Sequence, residues 1–303
     1  MADTAIVICA TRSWLAPACV TLLSVARNLG NAKANFYIIV DGLTPEDETE
    51  VAAFGTKHGM KFKLINFSSK DFQHLDAHRY SVATFMRLEL NHLLPKMLKR
   101  VLYLDSDILA LKDLQPLLEV DMQGKSLAAV PEVKLAPRRG VLTDMHREAI
   151  GFTGNEDYFN AGVLLFDWPA TLQSGLLQRA ADILNSEQIF KFLDQDALNL
   201  AFKDQWLALP LKWNVEQTSA FYLGIDAALR HFNHAAKPWD WRGVMGYARY
   251  NDYYAQALQG LALERFLSKK KQGNPLLANI EFGWRAISLH QRRFLRKRYA
   301  KLL

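Results

Sequence analysis

Residues 101–111 read VLYLDSDILAL, an apolar run that stops on two aspartates. A short continuous apolar stretch of this kind marks a strand buried on both faces. Such strands belong to sheets with helices packed on either side. Asp105 and Asp107 stand two residues apart, so alternation along a strand turns both carboxylates toward one spot. Left unpartnered they repel, and one tends to keep its proton. A divalent cation resolves that conflict, and hard oxygen ligands suit Mn2+ or Mg2+. The place fits as well, because open α/β sheets bind ligands beyond the carboxyl ends of their strands. A lone Asp-x-Asp is also compatible with two solvated carboxylates or helix caps, and the apolar run in front of it is what favours a metal.

Outward from this stretch, strands and helices alternate. AIVIC (5–9) and FYIIV (36–40) are buried strands, and KFKLINF (61–67) alternates as a third. Pro17 to Ala26 carries apolar residues at helical spacing. Thr44, Pro45 and Asp47 supply the cap, the first-turn proline and the capping-box acid of another helix. The segment from Ser81 to Leu94 is helical by pattern, with Arg87 inside it. SLAAVPE (126–132) and FNAGVLLFD (159–167) are further strands, and Trp206 to Trp213 is a short one. Residues 171–204 are helical, broken at Asp194-Gln195-Asp196. HFNHAAKPW (231–239) is a donor-rich loop. There, His231 can complete an octahedral site begun by two aspartates, and Lys237 is a point charge suited to a diphosphate. A surface histidine and a solvated lysine are the plainer alternative. The alternation predicts an α/β protein with a Rossmann-like sheet flanked by helices.

Composition sets the outer bounds. The chain has 303 residues, half of them hydrophobic, enough for one large domain or one domain plus an appendage. Cys9 and Cys19 read as small buried side chains. With no zinc spacing or disulfide framework, a reducing cytosolic compartment is expected. No secretory leader pattern is visible, and no apolar stretch reaches the ~18 residues of a membrane span. The net charge of +6 is uneven: residues 261–303 hold 11 Lys and Arg against 2 Glu, while residues 1–260 hold 26 basic and 29 acidic groups. The expected division is therefore a main α/β domain over 1–260 and a basic amphipathic extension over 261–303. In that extension Arg285, Arg292, Arg293, Arg296, Lys297, Arg298 and Lys301 interleave with Trp284, Ile287, Phe294, Leu295 and Tyr299. Such a segment suits an anionic membrane surface, or a solvated basic helix with one stripe packed on the domain. The acidic balance of the first 260 residues and the lack of any nucleic-acid motif argue against nucleic acid as a partner.

Taken in order, VLYLDSDILALKDLQPL (101–117), YFNAGVLLFD (158–167), DQDALN (194–199) and HFNHAAKPW (231–239) resemble glycosyltransferase family 8, in its bacterial lipopolysaccharide galactosyl- and glucosyltransferase branch. FMRLEL (85–90) and RRFLRKRY (292–299) match more loosely. The resemblance implies a GT-A fold and a retaining transfer of galactose or glucose from a UDP-sugar to a glycan acceptor, with Mn2+ or Mg2+. It implies that Asp105, Asp107 and His231 bind the metal, Asp105 also approaching the ribose, and that Lys237 holds the diphosphate. Asn160, Asp194 and Gln195 would line the donor sugar, with Asp194 and Gln195 the candidates at the anomeric centre. Arg87 would sit near sugar and phosphate, and Glu132 would contact the sugars. It further implies a lipid-linked acceptor at the inner face of the plasma membrane, which favours a peripheral location for the tail.

Two positions depart from the family pattern. Where an acidic or amide run usually precedes the aromatic that stacks on uracil, this chain has Thr11-Arg12-Ser13-Trp14. Trp14 supplies a π face, and Arg12 is left either to the diphosphate or to solvent. His234 stands where the family often has glycine. These departures support one alternative, a catalytically weakened binder of UDP-sugars or a scaffold.

Overall fold

The computed structural model describes residues 3–68, 85–133, 150–152, 158–186, 192–216, 219–220, 223–233, 237–239, 248–268 and 296–303. Strands β1 (Thr4–Thr11), β2 (Asn35–Asp41) and β3 (Phe62–Phe67) alternate with helices α1 (Leu15–Ala26) and α2 (Pro45–His58). Strand β4 (Arg100–Leu104) follows, then β5 (Ile108–Ala110), β6 (Leu127–Pro131) and β7 (Phe159–Asp167). Helices α3 (Trp168–Ser174), α4 (Leu176–Leu184) and α5 (Leu193–Ala201) precede β8 (Trp206–Ala208), β9 (Leu229–His231) and α6 (Ala248–Leu258).

Seven strands form one mixed sheet in the order β3-β2-β1-β4-β7-β6-β8. β1 to β4 run parallel, and β7 enters antiparallel between β4 and β6. The apolar runs are explained by two-sided burial. In β1, Ile6 and Ile8 pack on the side of α1, while Val7 and Cys9 pack on the other side with Phe166 and Leu198. In β4, Leu102 and Leu104 share the first face, and Val101 and Tyr103 the second. Each such aliphatic side chain contributes roughly 1.5–3 kcal/mol on leaving water. Both cysteines are free and buried. The Thr44–Asp47 capping box closes the N-terminus of α2 as expected.

The chain leaves the main sheet at the point that matters most. β4 ends at Leu104, residues 105–107 turn, and β5 then pairs antiparallel with β9 in a separate ribbon. That register sets Ile108 opposite His231, and the Phe232 amide donates to the Asp107 carbonyl at 3.0 Å. The ribbon thus brings His231 beside the aspartates from far down the chain. Strand alternation is not what aligns Asp105 with Asp107, since both lie in the turn.

Three other local expectations are corrected. Of the helix expected over 81–94, residues 81–84 lie outside the described residues; Phe85 and Met86 are helical, 87–89 form a turn with 3-10-type bonds from the Leu88 and Glu89 amides to Phe85 and Met86, and Leu90–Leu93 is helical again. Residues 194–196 do not interrupt a helix but lie in the first turn of α5, which begins at Leu193 with φ 49°. Only Trp206–Ala208 of the expected 206–213 strand forms; Pro210, which has no amide to donate to a ladder, precedes a 3-10 turn over Leu211–Trp213.

The chain's end returns to the domain. Tyr299 is 4% exposed, its hydroxyl donates to the Glu132 carbonyl at 3.1 Å, and the Leu211 amide donates to the Leu302 carbonyl at 2.8 Å. Arg296, Lys297, Arg298 and Lys301 point outward and are exposed. Arg265, at the start of the same region, is ion-paired with Glu50 of α2. Trp284, Arg285, Ile287, Arg292, Arg293, Phe294 and Leu295 lie outside the described residues. No helix among the described residues is long and apolar enough to cross a membrane.

Candidate active site

Asp105, Asp107 and His231 offer ligand atoms that all lie within 4.8 Å of one another. Their neighbours decide which atoms are free. The Tyr103 hydroxyl (2.8 Å) and Arg87 Nη2 (3.1 Å) occupy Asp105 Oδ1. Lys237 Nζ occupies Asp107 Oδ2 at 2.7 Å. The remaining oxygens, Asp105 Oδ2 and Asp107 Oδ1, face His231 Nε2 at 3.6 and 3.3 Å. Two carboxylate oxygens and one imidazole nitrogen therefore converge, a donor set that fits a borderline-hard divalent cation such as Mn2+ or Mg2+. Burial works to raise the Asp107 carboxyl, but His231 and Lys237 outweigh it and hold it well below the usual carboxylate range. Burial works to lower the His231 imidazolium, but Asp107 and Asp105 outweigh it and raise it.

Arg87 links this triad to the start of α5. Its Nη1 donates to the Ala161 carbonyl at 3.0 Å, its guanidinium lies 4.7 Å from the Tyr103 ring centre, and its Nε is 2.8 Å from Asp194 Oδ2. The last contact is a charge pairing without hydrogen-bond alignment. Burial opposes the guanidinium's charge, but Asp105 and Asp194 fix its proton more firmly still. Burial pushes the Asp194 carboxyl up to about 6, with the charge of Asp105 adding and that of Arg87 opposing. Next to Asp194, Gln195 Oε1 accepts from the Ala161 amide at 3.0 Å. Gln195 Nε2 reaches the Tyr158 hydroxyl (3.3 Å) and Glu132 Oε2 (3.4 Å). Asp196 is fully buried and structural, taking the Tyr158 hydroxyl at 2.5 Å and the Phe192 amide at 2.8 Å.

Lys237 and Trp14 form the third side. Lys237 Nζ lies 5.6 Å from the Trp14 ring centre, and Trp14 packs edge-on against Trp239 at 5.5 Å. Trp14 also lines a cavity of about 440 Å3 with Arg12, Asp47, Glu50, Arg265 and Phe266. Arg12 is exposed and does not point at the triad: its Nε pairs with Asp47 Oδ2 at 2.6 Å, and burial of Asp47 is outweighed so that its carboxyl sits below the usual range. His234 lies outside the described residues.

Nine of the ten site residues expected from sequence thus fall on three touching sides: Asp105, Asp107 and His231; Arg87, Asp194, Gln195 and Glu132; Lys237 and Trp14. Asn160, 9% exposed, joins them through Gly162 and Asn214. Sequence reasoning missed Tyr103, Tyr158, Asn214, Gly162 and Glu216. Tyr103 and Tyr158 read as strand-core aromatics, and nothing in the local pattern separates a core tyrosine from one whose hydroxyl holds a carboxylate.

Comparison with known proteins shows the family and the fold. The family model described as glycosyl transferase family 8 matches residues 5–242. The chain is 27% identical over 234 residues to a lipopolysaccharide 1,2-glucosyltransferase of Escherichia coli (strain K12), covering 73% of this chain and 68% of that protein. It is 25% identical over 228 residues to general stress protein A of Bacillus subtilis (strain 168), covering 69% and 77%. Among solved structures, the galactosyltransferase LgtC in complex with donor and acceptor sugar analogues superposes with a TM-score of 0.73 at 23% identity, covering 87% of this chain and 99% of that one. The mixed sheet described above is that GT-A arrangement.

Proposed function

The chain belongs to glycosyl transferase family 8, and on that footing we propose that it transfers galactose or glucose from a UDP-sugar to a hydroxyl of a lipopolysaccharide-type glycan, with retention of configuration. The observation that carries the reading is the convergence of Asp105 Oδ2, Asp107 Oδ1 and His231 Nε2, with every other oxygen of the two carboxylates engaged. A divalent cation held there would offset the negative charge that grows on the leaving diphosphate.

The protein's own groups supply the rest. Lys237 lies between the triad and Trp14, placed to exchange Asp107 for a phosphate oxygen. The Trp14 face and the adjoining cavity suit the uracil. Arg87 and Asp194 sit where the hexose would lie, and Gln195 is held rigid by Ala161, Tyr158 and Glu132. An amide oxygen is a poor nucleophile, so a covalent sugar–Gln195 adduct is not favoured. The acceptor hydroxyl would attack the anomeric carbon from the face the diphosphate leaves. The C–O bond breaks with its electrons going to the phosphate oxygen, and that oxygen takes the hydroxyl proton. Carboxylate and amide oxygens close by stabilise the oxocarbenium-like centre, and orientation supplies much of the rate.

A membrane-surface location fits the exposed Arg296, Lys297, Arg298 and Lys301. Because Tyr299 and Leu302 turn inward, this part of the tail would meet anionic lipid through charge and not through inserted side chains.

A panel of UDP-sugars assayed for hydrolysis and transfer tests the reading. One UDP-hexose should turn over with Mn2+, giving product of unchanged anomeric configuration. Excess chelator or Asp107→Asn should each abolish turnover. Undiminished turnover under chelator would refute the metal site, and no turnover of any UDP-hexose would refute the transferase.

A further inference from the structure

His231 must present Nε2, and not Nδ1, to the aspartates, and the structure shows what enforces that choice. Its ring is 2% exposed, and Nδ1 lies 2.9 Å from Asn214 Oδ1. Asn214 is 3% exposed, and its Nδ2 donates to Asn160 Oδ1 at 2.8 Å. Asn160 Oδ1 accepts a second bond at 2.9 Å from the Gly162 amide.

The direction of this relay is fixed at its far end. A backbone N–H only donates, so the atom of Asn160 facing it must be the oxygen. That oxygen can face only the NH2 side of the Asn214 amide. Asn214 therefore turns its own oxygen to the imidazole, and Nδ1 must carry a proton to meet it. The proton-free nitrogen is then Nε2, the one aimed at Asp107 and Asp105. Gly162 closes the arrangement from below: a Cβ there would lie 2.3 Å from His231 Cε1, so the ring rests on bare backbone.

We propose that Asn214, oriented through Asn160 by the Gly162 amide, is a positioning residue that locks His231 in the Nδ1–H tautomer with Nε2 presented to the cation. This inference rests on the metal site proposed above. Removing a hydrogen-bond partner of this kind typically costs 10–100-fold in metal affinity.

The test is Mn2+ binding in the presence of UDP, read from the electron paramagnetic resonance of free Mn2+. Nitrogen-15 histidine spectra of the Mg2+/UDP-loaded protein report the tautomer directly. Asn214→Leu, of similar volume but with no acceptor, should raise the Mn2+ Kd about 10–100-fold. It should also lose the single Nδ1–H signature of His231. Asn214→Asp still accepts from Nδ1–H through one oxygen but loses the donor to Asn160 Oδ1, so it should keep the tautomer and lose less Mn2+ affinity than Asn214→Leu. Wild-type affinity and tautomer in Asn214→Leu would overturn the proposal. So would equal losses in both variants, which would mark Asn214 as packing alone. A wild-type protein that takes up no Mn2+ with UDP would instead refute the metal site itself, and this inference with it.

Discussion

Asp105 and Asp107 sit two residues apart yet are held by different partners. Arg87 and Tyr103 grip one, Lys237 the other, and each keeps a single oxygen for the common point. Their residue types and their spacing are visible in one sequence, as is His231 once the family's ordered motifs are set beside it. Asn214 and Gly162 give no such signal. An asparagine in a 3-10 exit and a glycine within an apolar strand are ordinary, and their importance comes from a ring that arrives from another element. Glu216 was equally hidden. It is 7% exposed, and burial, aided by Glu132 and opposed by His231, Asn233 and Arg230, pushes its carboxyl up to about 7. A folded value above the unfolded one means its contribution to stability is complete below about pH 4.5 and is lost as pH rises through about 7. Relative to Glu216→Gln, the wild type should therefore lose roughly 3 kcal/mol across that window, in protein free of metal. Denaturation midpoints of the two proteins that stay parallel from pH 4.5 to 8 would contradict this.

Among the elements, β1, β2, β4 and β7 were legible because two-sided burial writes itself as uninterrupted apolar residues, and the edge strand β3 was legible by its alternation. The β5–β9 ribbon was not, since three-residue strands carry no period, and it is the ribbon that assembles the metal ligands. The helix expected through Arg87 is interrupted at 87–89, where the Ala161 carbonyl, Asp105 and Asp194 hold the Arg87 side chain. At the crossing of β7 and the ribbon, His231 lies directly on Gly162. Gly162→Ala should drive ring and strand apart, costing about 1–3 kcal/mol of stability by overpacking and weakening Mn2+ uptake in step. Urea unfolding and Mn2+ titration of the same variant check it; an unchanged protein would mean the ring is free to move.

At the scale of the whole molecule, composition located the positive charge in the last 43 residues but not its relation to the domain. Among the described residues of that region, the cations face outward, while Tyr299 is built into the core and anchored to the Glu132 carbonyl. Membrane attraction of about 1 kcal/mol per exposed cation is expected, screened over about 8 Å at physiological salt. Changing Arg296, Lys297, Arg298 and Lys301 together to Gln should weaken binding to phosphatidylglycerol vesicles and reduce its salt dependence. Co-sedimentation unaffected by the four changes would remove this end of the chain from the membrane contact.

The central claim is that one divalent cation joins the turn after β4 to the end of β9. Anomalous diffraction at the manganese edge, from crystals grown with Mn2+ and UDP, tests it most directly. A single strong peak about 2.1 Å from Asp105 Oδ2, Asp107 Oδ1 and His231 Nε2 is the predicted result. A diphosphate bound with no peak at that point, or with the peak on other residues, would contradict it.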